Sequence, residues 1–213
     1  MDTEKNERLT ALDASKQAAE KKVVEKKAGT NTGRETRWSA RQLALMSISI
    51  ALGTLLAFIA VPLIPGAPTL TYDPGNVPAL FGGFVFGPVA GCIIGVLSLL
   101  LHFLLSGDNW VGPAINTFLL IGVIVPAALI YRQKRTTKHL IIGLVVGCLA
   151  AMVLVIPANY AAWYIYVGPE FVKSDFFFPF VLSSILPFNA IKLSLNAILS
   201  FGLYKSLYKL VGQ

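Results

Sequence analysis

Four polar side chains share one helical face in an otherwise apolar stretch near the C-terminus. Asn189, Lys192 and Asn196 are three and four residues apart, so they lie on the same side of a helix, and Ser200 continues that side. Amide and ammonium groups in apolar surroundings can donate hydrogen bonds to the polar edges of a small ligand, which makes Asn189 and Lys192 candidate binding residues. A lysine at this depth is expected to have a partner. The alternative is a structural lysine that bonds to helix carbonyls.

Asn159 and Tyr160 are further candidates, because they lie inside a second apolar run. The aromatic residues that follow, from Trp163 to Tyr166, are typical of the belt at the edge of a membrane. Asn159 and Tyr160 lie deeper in the run. We expect them to reach the same cavity as the polar helical face.

The composition places these residues in a membrane. Of 213 residues, 55% are apolar and 14% are charged, whereas a soluble domain carries about 25% charged residues. Residues 1–41 hold 10 of the 18 Lys and Arg residues, and residues 42–131 hold none. This distribution predicts an all-α, multi-pass protein of the cell membrane, in contact with the lipid bilayer. It excludes a soluble enzyme, and the net charge of +7 is assigned to cytoplasmic flanks, not to nucleic-acid binding.

The first 38 residues form a separate charged region, and the membrane domain is predicted from residue 39 to residue 210. The tail mixes Lys, Glu, Ala and Thr, has no apolar face that could fold alone, and contains a Gly-Thr-Asn-Thr-Gly segment at 29–33. We expect a disordered cytosolic tail. A secretory signal would need an apolar run near its start, so that interpretation is not favoured.

The number of membrane helices follows from charge and parity. Apolar runs cover about 39–64, 77–107, 113–131, 140–166 and 179–210, and a span needs about 20 residues. Basic residues mark the tail, the loop at 132–139 and the C-terminus as cytoplasmic. An even number of spans must separate the tail from that loop, so the run 77–107 must be two helices that meet at Gly87-Pro88. The sequence therefore predicts six helices with both termini cytoplasmic.

The second of these helices is too short to cross a membrane alone. Residues 77–87 would extend about 16 Å, against a hydrocarbon core of about 30 Å. The preceding outer loop, 65–76, must therefore dip into the protein as a re-entrant segment that forms part of a cavity. Asn76 ends this loop and is a further candidate binding residue.

Helix 1 carries small residues at helical spacing. Ser49, Gly53 and Ala57 are four residues apart, and Ser47 and Ala51 lie on a neighbouring face. Small residues at this period allow another helix to approach closely. The stripe therefore predicts a partner interface, and packing within the protein's own bundle is the alternative.

No catalytic arrangement is evident in the sequence. It lacks paired carboxylates on a helix, a nucleophile elbow, an HExxH metal site and a phosphate-binding glycine loop. Cys92 and Cys148 lie singly in apolar runs, where they are expected to be packing residues. We expect neither enzymatic activity nor a bound metal or covalent cofactor.

Three sequence elements resemble the substrate-binding S components of energy-coupling factor vitamin transporters. They are Asp73-x-x-x-x-Pro78-Ala79-Leu80-x-Gly82-Gly83-x-x-x-Gly87-Pro88-x-x-Gly91, Asn159-Tyr160, and Leu186-Pro187-Phe188-Asn189-x-x-Lys192 followed by Tyr204-Lys205. The first is shared by several S components, while the other two are most similar to the riboflavin-specific branch. The resemblance covers about residues 40–210.

The resemblance implies a fold and a set of roles. Six helices would enclose an outward-facing vitamin pocket, capped by the loop between helices 1 and 2. Asn159, Asn189 and Lys192 would contact the vitamin, and the small residues of helix 1 would dock on a membrane coupling subunit. Two cytosolic ATPase subunits would complete the transporter, with riboflavin as the transported ligand.

The chemistry of riboflavin suits these residues. Its flat ring with carbonyl and imide edges fits aromatic and aliphatic walls with a few Asn and Lys donors. A lysine would also attract a carboxylate vitamin such as pantothenate or folate, so S components for those vitamins are alternatives. A membrane enzyme or an assembly protein without a small ligand is the competing class.

Overall fold

The structure is a computed structural model that describes residues 38–64, 70–107 and 109–211, with side chains given as far as Leu207. The predicted N-terminal tail, residues 1–38, lies outside the described residues except for Trp38. Residues 65–69 of the predicted re-entrant loop also lie outside them.

The described residues are almost entirely helical. A short antiparallel hairpin lies between the first two helices, with Val61 paired to Tyr72 and Pro62 paired to Thr71. In chain order the elements are α1 Ala40–Ala57, β1 Val61–Pro62, β2 Thr71–Tyr72, α2 Val77–Phe86, α3 Pro88–Ser106, α4 Val111–Gln133, α5 Thr137–Tyr166, α6 Pro169–Lys173, α7 Phe177–Phe180, a π-helical turn Val181–Ile185, and α8 Leu186–Val211.

Five helical stretches of the described chain are long and apolar enough to cross a membrane. Large apolar side chains cover their outer surfaces, where Leu55, Leu104, Val153 and Ile198 are each at least 66% exposed. Such a surface is unfavourable in water and is stable against lipid. The predicted all-α membrane fold is therefore confirmed, with these candidate spans: Ala40–Ala57, Pro88–Ser106, Val111–Gln133, Thr137–Tyr166 and Phe177–Leu207.

The apolar run 77–107 is divided at Gly87, as the Gly-Pro pair predicts. Gly87 has a φ of +105°, which residues with a Cβ rarely adopt, and Pro88 begins α3. The break leaves α2 as a helix of ten residues, about 15 Å long.

α2 lies at the centre of the fold and is enclosed by protein. It packs against α1, α3, α4 and α8, and every residue from Val77 to Phe84 is buried. Near its end, Phe84 meets the rings of Tyr131 and Tyr204 edge-on, and the two phenols hydrogen-bond to each other. A helix too short to span is thus shielded by its neighbours, and its side chains form part of the core.

α4 and α5 form a closely packed helical hairpin joined by residues 134–136. A Cβ added to Gly143 would lie 2.6 Å from the carbonyl oxygen of Ala127, and one added to Gly147 would lie 2.5 Å from that of Val123. Two glycines four residues apart therefore bring the two backbones into contact, which is the packing that small residues provide between membrane helices.

The terminal helix, which we define as α7, the π-helical turn and α8, is continuous from Phe177 to Val211. Its π-helical turn precedes Pro187 by two residues. Proline has no N–H, and its ring crowds the carbonyl four residues earlier, here Ser183 inside the turn. The wider turn relieves this crowding, and its extra residue rotates the following side chains by roughly 100°. The local sequence thus sets the direction of the polar face of α8.

Candidate functional site

The polar face of α8 points into the protein. Asn189 and Lys192 are 6% and 8% exposed, and Asn196 and Ser200 are 2% and 0% exposed. On the opposite side of the helix, Ile198 is 66% exposed. Helical spacing in the sequence therefore identifies the residues that share this face, and the structure buries all four.

Lys192 pairs with Asp73, which lies at the end of the loop before α2. Lys192 Nζ is 2.7 Å from Asp73 Oδ2, and the two side chains are 10% and 13% exposed. Nζ also lies 5.9 Å from the centroid of the Phe188 ring. A cation removed from water needs such a counter-charge. The expected partner of Lys192 is thus a carboxylate, and the alternative of helix carbonyls does not apply to this contact.

Asp73 is a site residue that sequence reasoning placed only in the family motif. A signal was available, because Asp73 and Asp108 are the only acidic residues between positions 42 and 131. Few carboxylates could therefore neutralise the lysine. Sequence spacing does not predict the pairing of Asp73 with Lys192, because the two residues are 119 positions apart and meet only when the loop folds onto α8.

Two side-chain hydrogen bonds hold the loop end, residues 72–76, against the helices. The Tyr72 hydroxyl donates to Asn196 Oδ1 at 3.3 Å, and Asn76 Nδ2 donates to Asn116 Oδ1 of α4 at 2.9 Å. Asn76 is 4% exposed, and this contact uses one N–H of its carboxamide. In the structure, Asn76 positions the loop end and the start of α2.

Burial and the neighbouring Asp73 carboxylate raise the pKa of the Tyr72 phenol above its usual value of 10.0. The phenol therefore stays protonated at physiological pH and continues to donate to Asn196. Since the fold favours the protonated form, the contact is lost only when the pH rises through the raised pKa.

The loop end also packs closely on α1, and this contact divides the small residues of that helix. A Cβ on Gly53 would lie 2.7 Å from Ser98 Oγ of α3 and 3.0 Å from the carbonyl oxygen of Gly75. Ala57 is 6% exposed. Gly53 and Ala57 therefore pack within the fold, which is the alternative given for the stripe from the sequence.

The remaining small residues of α1 differ in exposure. Ser47 and Ala51 are exposed, and Ser49 is partly buried. Ser47 and Ser49 both donate to carbonyls four residues earlier in their own helix. The exposed surface that remains for a partner on this helix thus contains Ser47 and Ala51.

Asn159 and Asn189 are both buried, and each donates to its own helix backbone. Asn159 Nδ2 lies 2.8 Å from the Val155 carbonyl oxygen, and Asn189 Nδ2 lies 2.9 Å from that of Ile185. Each carboxamide keeps a second N–H and its oxygen for another partner. Val155 and Ile185 belong to the same apolar cluster, so the two asparagines border a common core.

The contact of Cys148 with Leu193 sets the register between α5 and α8. Cys148 Sγ lies 3.8 Å from the Leu193 carbonyl oxygen, and together with the shared apolar cluster this contact makes the helices antiparallel. At 1.5 Å per residue, Asn159 lies roughly 15 Å from Lys192 along the helix axis. A single ligand could contact both residues only if it were elongated.

Tyr160 lies apart from these buried groups. It is 39% exposed, stacks on Tyr164 with a centroid distance of 6.2 Å, and meets the Phe177 ring edge-on at 6.0 Å. Trp163 and Tyr166 continue this aromatic row. The structure thus places Tyr160 with the aromatic belt and not with Asn159.

Two polar atoms beyond Lys192 have no hydrogen-bond partner among the residues that the structure describes. They are Asn196 Nδ2 and Ser200 Oγ, one and two turns further along α8. The described ranges also contain no group of three or more His, Cys, Asp and Glu side chains that could hold a metal ion. The site is therefore a set of hydrogen-bonding groups around one ion pair.

Residues 41–204 match the family model of the ECF transporter, substrate-specific component. The chain belongs to this family. It is the substrate-binding membrane component of an energy-coupling factor (ECF) transporter, a multi-pass protein of the cell membrane and not an enzyme. The resemblance stated from the sequence is confirmed at the level of the family.

Three relatives of this chain are riboflavin transporters. RibU of Staphylococcus aureus (strain TCH60) is 34% identical over 170 residues, which cover 78% of this chain and 90% of that protein. FmnP of Bacillus subtilis (strain 168) is 26% identical over 165 residues, which cover 71% and 84%. RibU of Streptococcus thermophilus (strain ATCC BAA-250 / LMG 18311) is 27% identical over 166 residues, which cover 72% and 76%.

A solved S component of a bacterial ECF transporter has the same architecture. Its TM-score with this chain is 0.68 at 31% sequence identity, and the alignment covers 81% of this chain and 98% of the other. The fold described above is thus that of an S component over nearly the whole length of this neighbour.

Proposed function

We propose that this S component binds riboflavin for ATP-driven uptake, in a pocket formed by the loop end, α5 and α8. The observation that carries the proposal is a buried set of hydrogen-bond donors, Asn159, Asn189 and Lys192, in which the lysine is neutralised by Asp73. Riboflavin is uncharged and has a flat ring, an imide edge and a chain of hydroxyls. A site for it therefore needs hydrogen-bond donors but no net charge. The riboflavin transporters among the relatives support the same ligand.

The axial spread of the donors supports an elongated ligand. Asn159 and Lys192 are separated by roughly 15 Å along α5 and α8, so one would bind the ring and the other the region of the hydroxyl chain. Asn196 Nδ2 and Ser200 Oγ add unpartnered polar atoms, among the described residues, for further hydrogen bonds. In this pocket Asn76 acts by holding the loop end to α4. Tyr160 lies at the edge of the pocket, in the aromatic row with Tyr164 and Phe177.

Uptake requires a membrane coupling subunit and two cytosolic ATPase subunits, and membership of a family of transporter components supports such partners. We assign docking of the coupling subunit to the exposed face of α1 that contains Ser47 and Ala51. Small side chains there leave a shallow surface on which another helix can pack.

The proposed topology has six membrane helices, formed by α2 and the five long spans, with the N-terminal tail and both termini cytoplasmic. Arg132 in the last turn of α4, together with Lys134 and Arg135 in the connection to α5, supports a cytoplasmic position for that end of the bundle. Enclosure of α2 by four helices supports its role as a short membrane helix. A non-helical loop at membrane depth is unfavourable in contact with lipid, and the surrounding protein prevents that contact.

Ligand identification in the purified full chain tests the proposal. Protein extracted in detergent is expected to carry riboflavin, detected by its absorbance and by mass spectrometry after denaturation. Calorimetry with riboflavin, pantothenate and folate should then give tight binding of riboflavin alone. Binding of pantothenate or folate instead would assign a different vitamin, and binding of none of the three would favour an assembly role.

A further inference from the structure

We propose that Asp73 is a specificity-determining residue, which selects ligands that bring no negative charge to Lys192. The inference rests on the vitamin-binding function proposed above and adds a role for a residue outside the donor set. Its starting point is the 2.7 Å contact between Lys192 Nζ and Asp73 Oδ2, with both side chains about nine-tenths buried.

The Asp73 carboxylate is held in place from both sides. Oδ2 accepts from Lys192, and Oδ1 accepts from the Gly75 N–H at 3.1 Å. The loop end that carries Asp73 is fixed in turn by the Tyr72–Asn196 and Asn76–Asn116 hydrogen bonds. The carboxylate is therefore a fixed counter-charge, positioned by the fold before any ligand arrives.

A ligand carboxylate at Lys192 would meet this counter-charge at close range. Like charges a few ångströms apart repel strongly where water is largely excluded. The ligand would otherwise have to displace Asp73, which would leave that carboxylate buried without a cation. Positions 42–131 contain no Lys or Arg that could compensate either arrangement.

A neutral acceptor meets no such barrier. The ammonium group has three N–H donors, and the contact with Asp73 occupies one of them. A carbonyl or imide oxygen can accept from a second donor while the ion pair stays intact. The lysine thus acts as a hydrogen-bond donor without acting as a general anion site.

Matched flavin pairs test this inference on the purified full chain. Each pair carries either a carboxymethyl group or the isosteric carbamoylmethyl group, attached at N3 of the ring in one pair and at N10 in the other. Quenching of flavin fluorescence gives the dissociation constants. For the attachment that faces Lys192, the wild type should bind the amide at least about tenfold more tightly than the acid, because of the repulsion from Asp73.

Substitutions at the ion pair then identify the source of the preference. Asp73→Asn should abolish or reverse the preference for the amide, whereas Asp73→Glu, which keeps the charge, should retain it. Lys192→Gln removes the cation and should increase the preference for the amide. If Asp73→Asn fails to fold, as judged by its thermal unfolding, Lys192→Gln is compared with the double variant Asp73→Asn/Lys192→Gln, in which the preference for the amide should fall if Asp73 is its source.

Two further outcomes are distinguishable. If the wild type binds riboflavin and the ratio of acid to amide affinity is the same in all folded variants at both attachments, Asp73 does not determine specificity. If the wild type binds neither riboflavin nor any neutral flavin, the proposed function itself is wrong.

Discussion

Lys192 and Asp73 meet in a site that is nearly closed to solvent. Removing two charges from water is costly, and their mutual attraction offsets this cost only while both are present. A substitution at one position therefore leaves the other charge buried and unpaired. At the residue scale, the stability of the fold and the chemistry of the site depend on the same contact.

Lys192→Met and Asp73→Asn are each expected to lower the free energy of unfolding by roughly 3 kcal/mol. The double variant leaves no charge unpaired and should come within about 1 kcal/mol of the wild type. Unfolding by SDS in mixed micelles, followed by tryptophan fluorescence, measures the three values. Losses that simply add in the double variant would contradict the pairing.

Asn189→Ala should weaken riboflavin binding without affecting membrane insertion. Losing one hydrogen-bonding group costs about 1–3 kcal/mol, or roughly 5- to 150-fold in affinity. Ser194→Ala is the matched control, because Ser194 lies on the same helix but is exposed. Calorimetry on both variants gives the comparison, and equal affinities would remove Asn189 from the site.

Among the elements, the α4–α5 hairpin depends on two glycines that allow backbone contact. Gly147→Ala would bring a Cβ to 2.5 Å from the Val123 carbonyl oxygen, and we expect it to destabilise the protein by about 1–3 kcal/mol. Gly202→Ala in α8 is the control, because nothing lies within 4 Å of its added Cβ. That variant should be neutral or gain up to about 1 kcal/mol from helix propensity. Thermal unfolding in detergent compares the two, and equal effects would show that the hairpin tolerates a wider separation.

The two sides of α1 should respond differently to bulky side chains. Gly53→Leu must displace Ser98 and Gly75, so it should disturb the loop end and weaken vitamin binding by the isolated protein. Ala51→Leu lies on the exposed side and should leave binding unchanged while reducing uptake in cells that contain the partner subunits. Uptake at the wild-type rate in Ala51→Leu would place the docking surface elsewhere.

Features that are determined by neighbouring residues could be predicted from the sequence. Features that depend on contacts between residues far apart in the chain could not. Gly87-Pro88 ends one helix and starts the next because of the backbone preferences of these two residues, so the sequence predicts the break between α2 and α3. The spacing of Ser49, Gly53 and Ala57 shows that they share a side but not what lies against it, and the loop end covers Gly53. In the same way, helical spacing identifies Asn189 and Lys192, whereas the pairing of Lys192 with Asp73 is established only by the folded loop.

At the scale of the whole molecule, the proposed topology predicts which ends of the helices face the cytoplasm. The proposed topology makes Gly87 a cytoplasmic turn. A cysteine at the exposed position 89, beside this turn, in a background with Cys92 and Cys148 replaced by alanine, should react with a membrane-impermeant thiol reagent only after the cells are opened. The exposed position 167, in the connection between α5 and α6, is the control and should react in intact cells. The reverse pattern would invert the topology, and labelling of both positions in intact cells would rule out six spans.

The enclosure of α2 has a consequence for hydrogen exchange. The outer helices are protected from water partly by lipid, and detergent replaces lipid imperfectly. α2 is protected by α1, α3, α4 and α8, so its amides remain covered whatever surrounds the protein. Its buried backbone from Ala79 to Phe84 should therefore exchange with deuterium only in the molecules that open as a whole, which makes these amides a direct reporter of global unfolding in any solubilising medium.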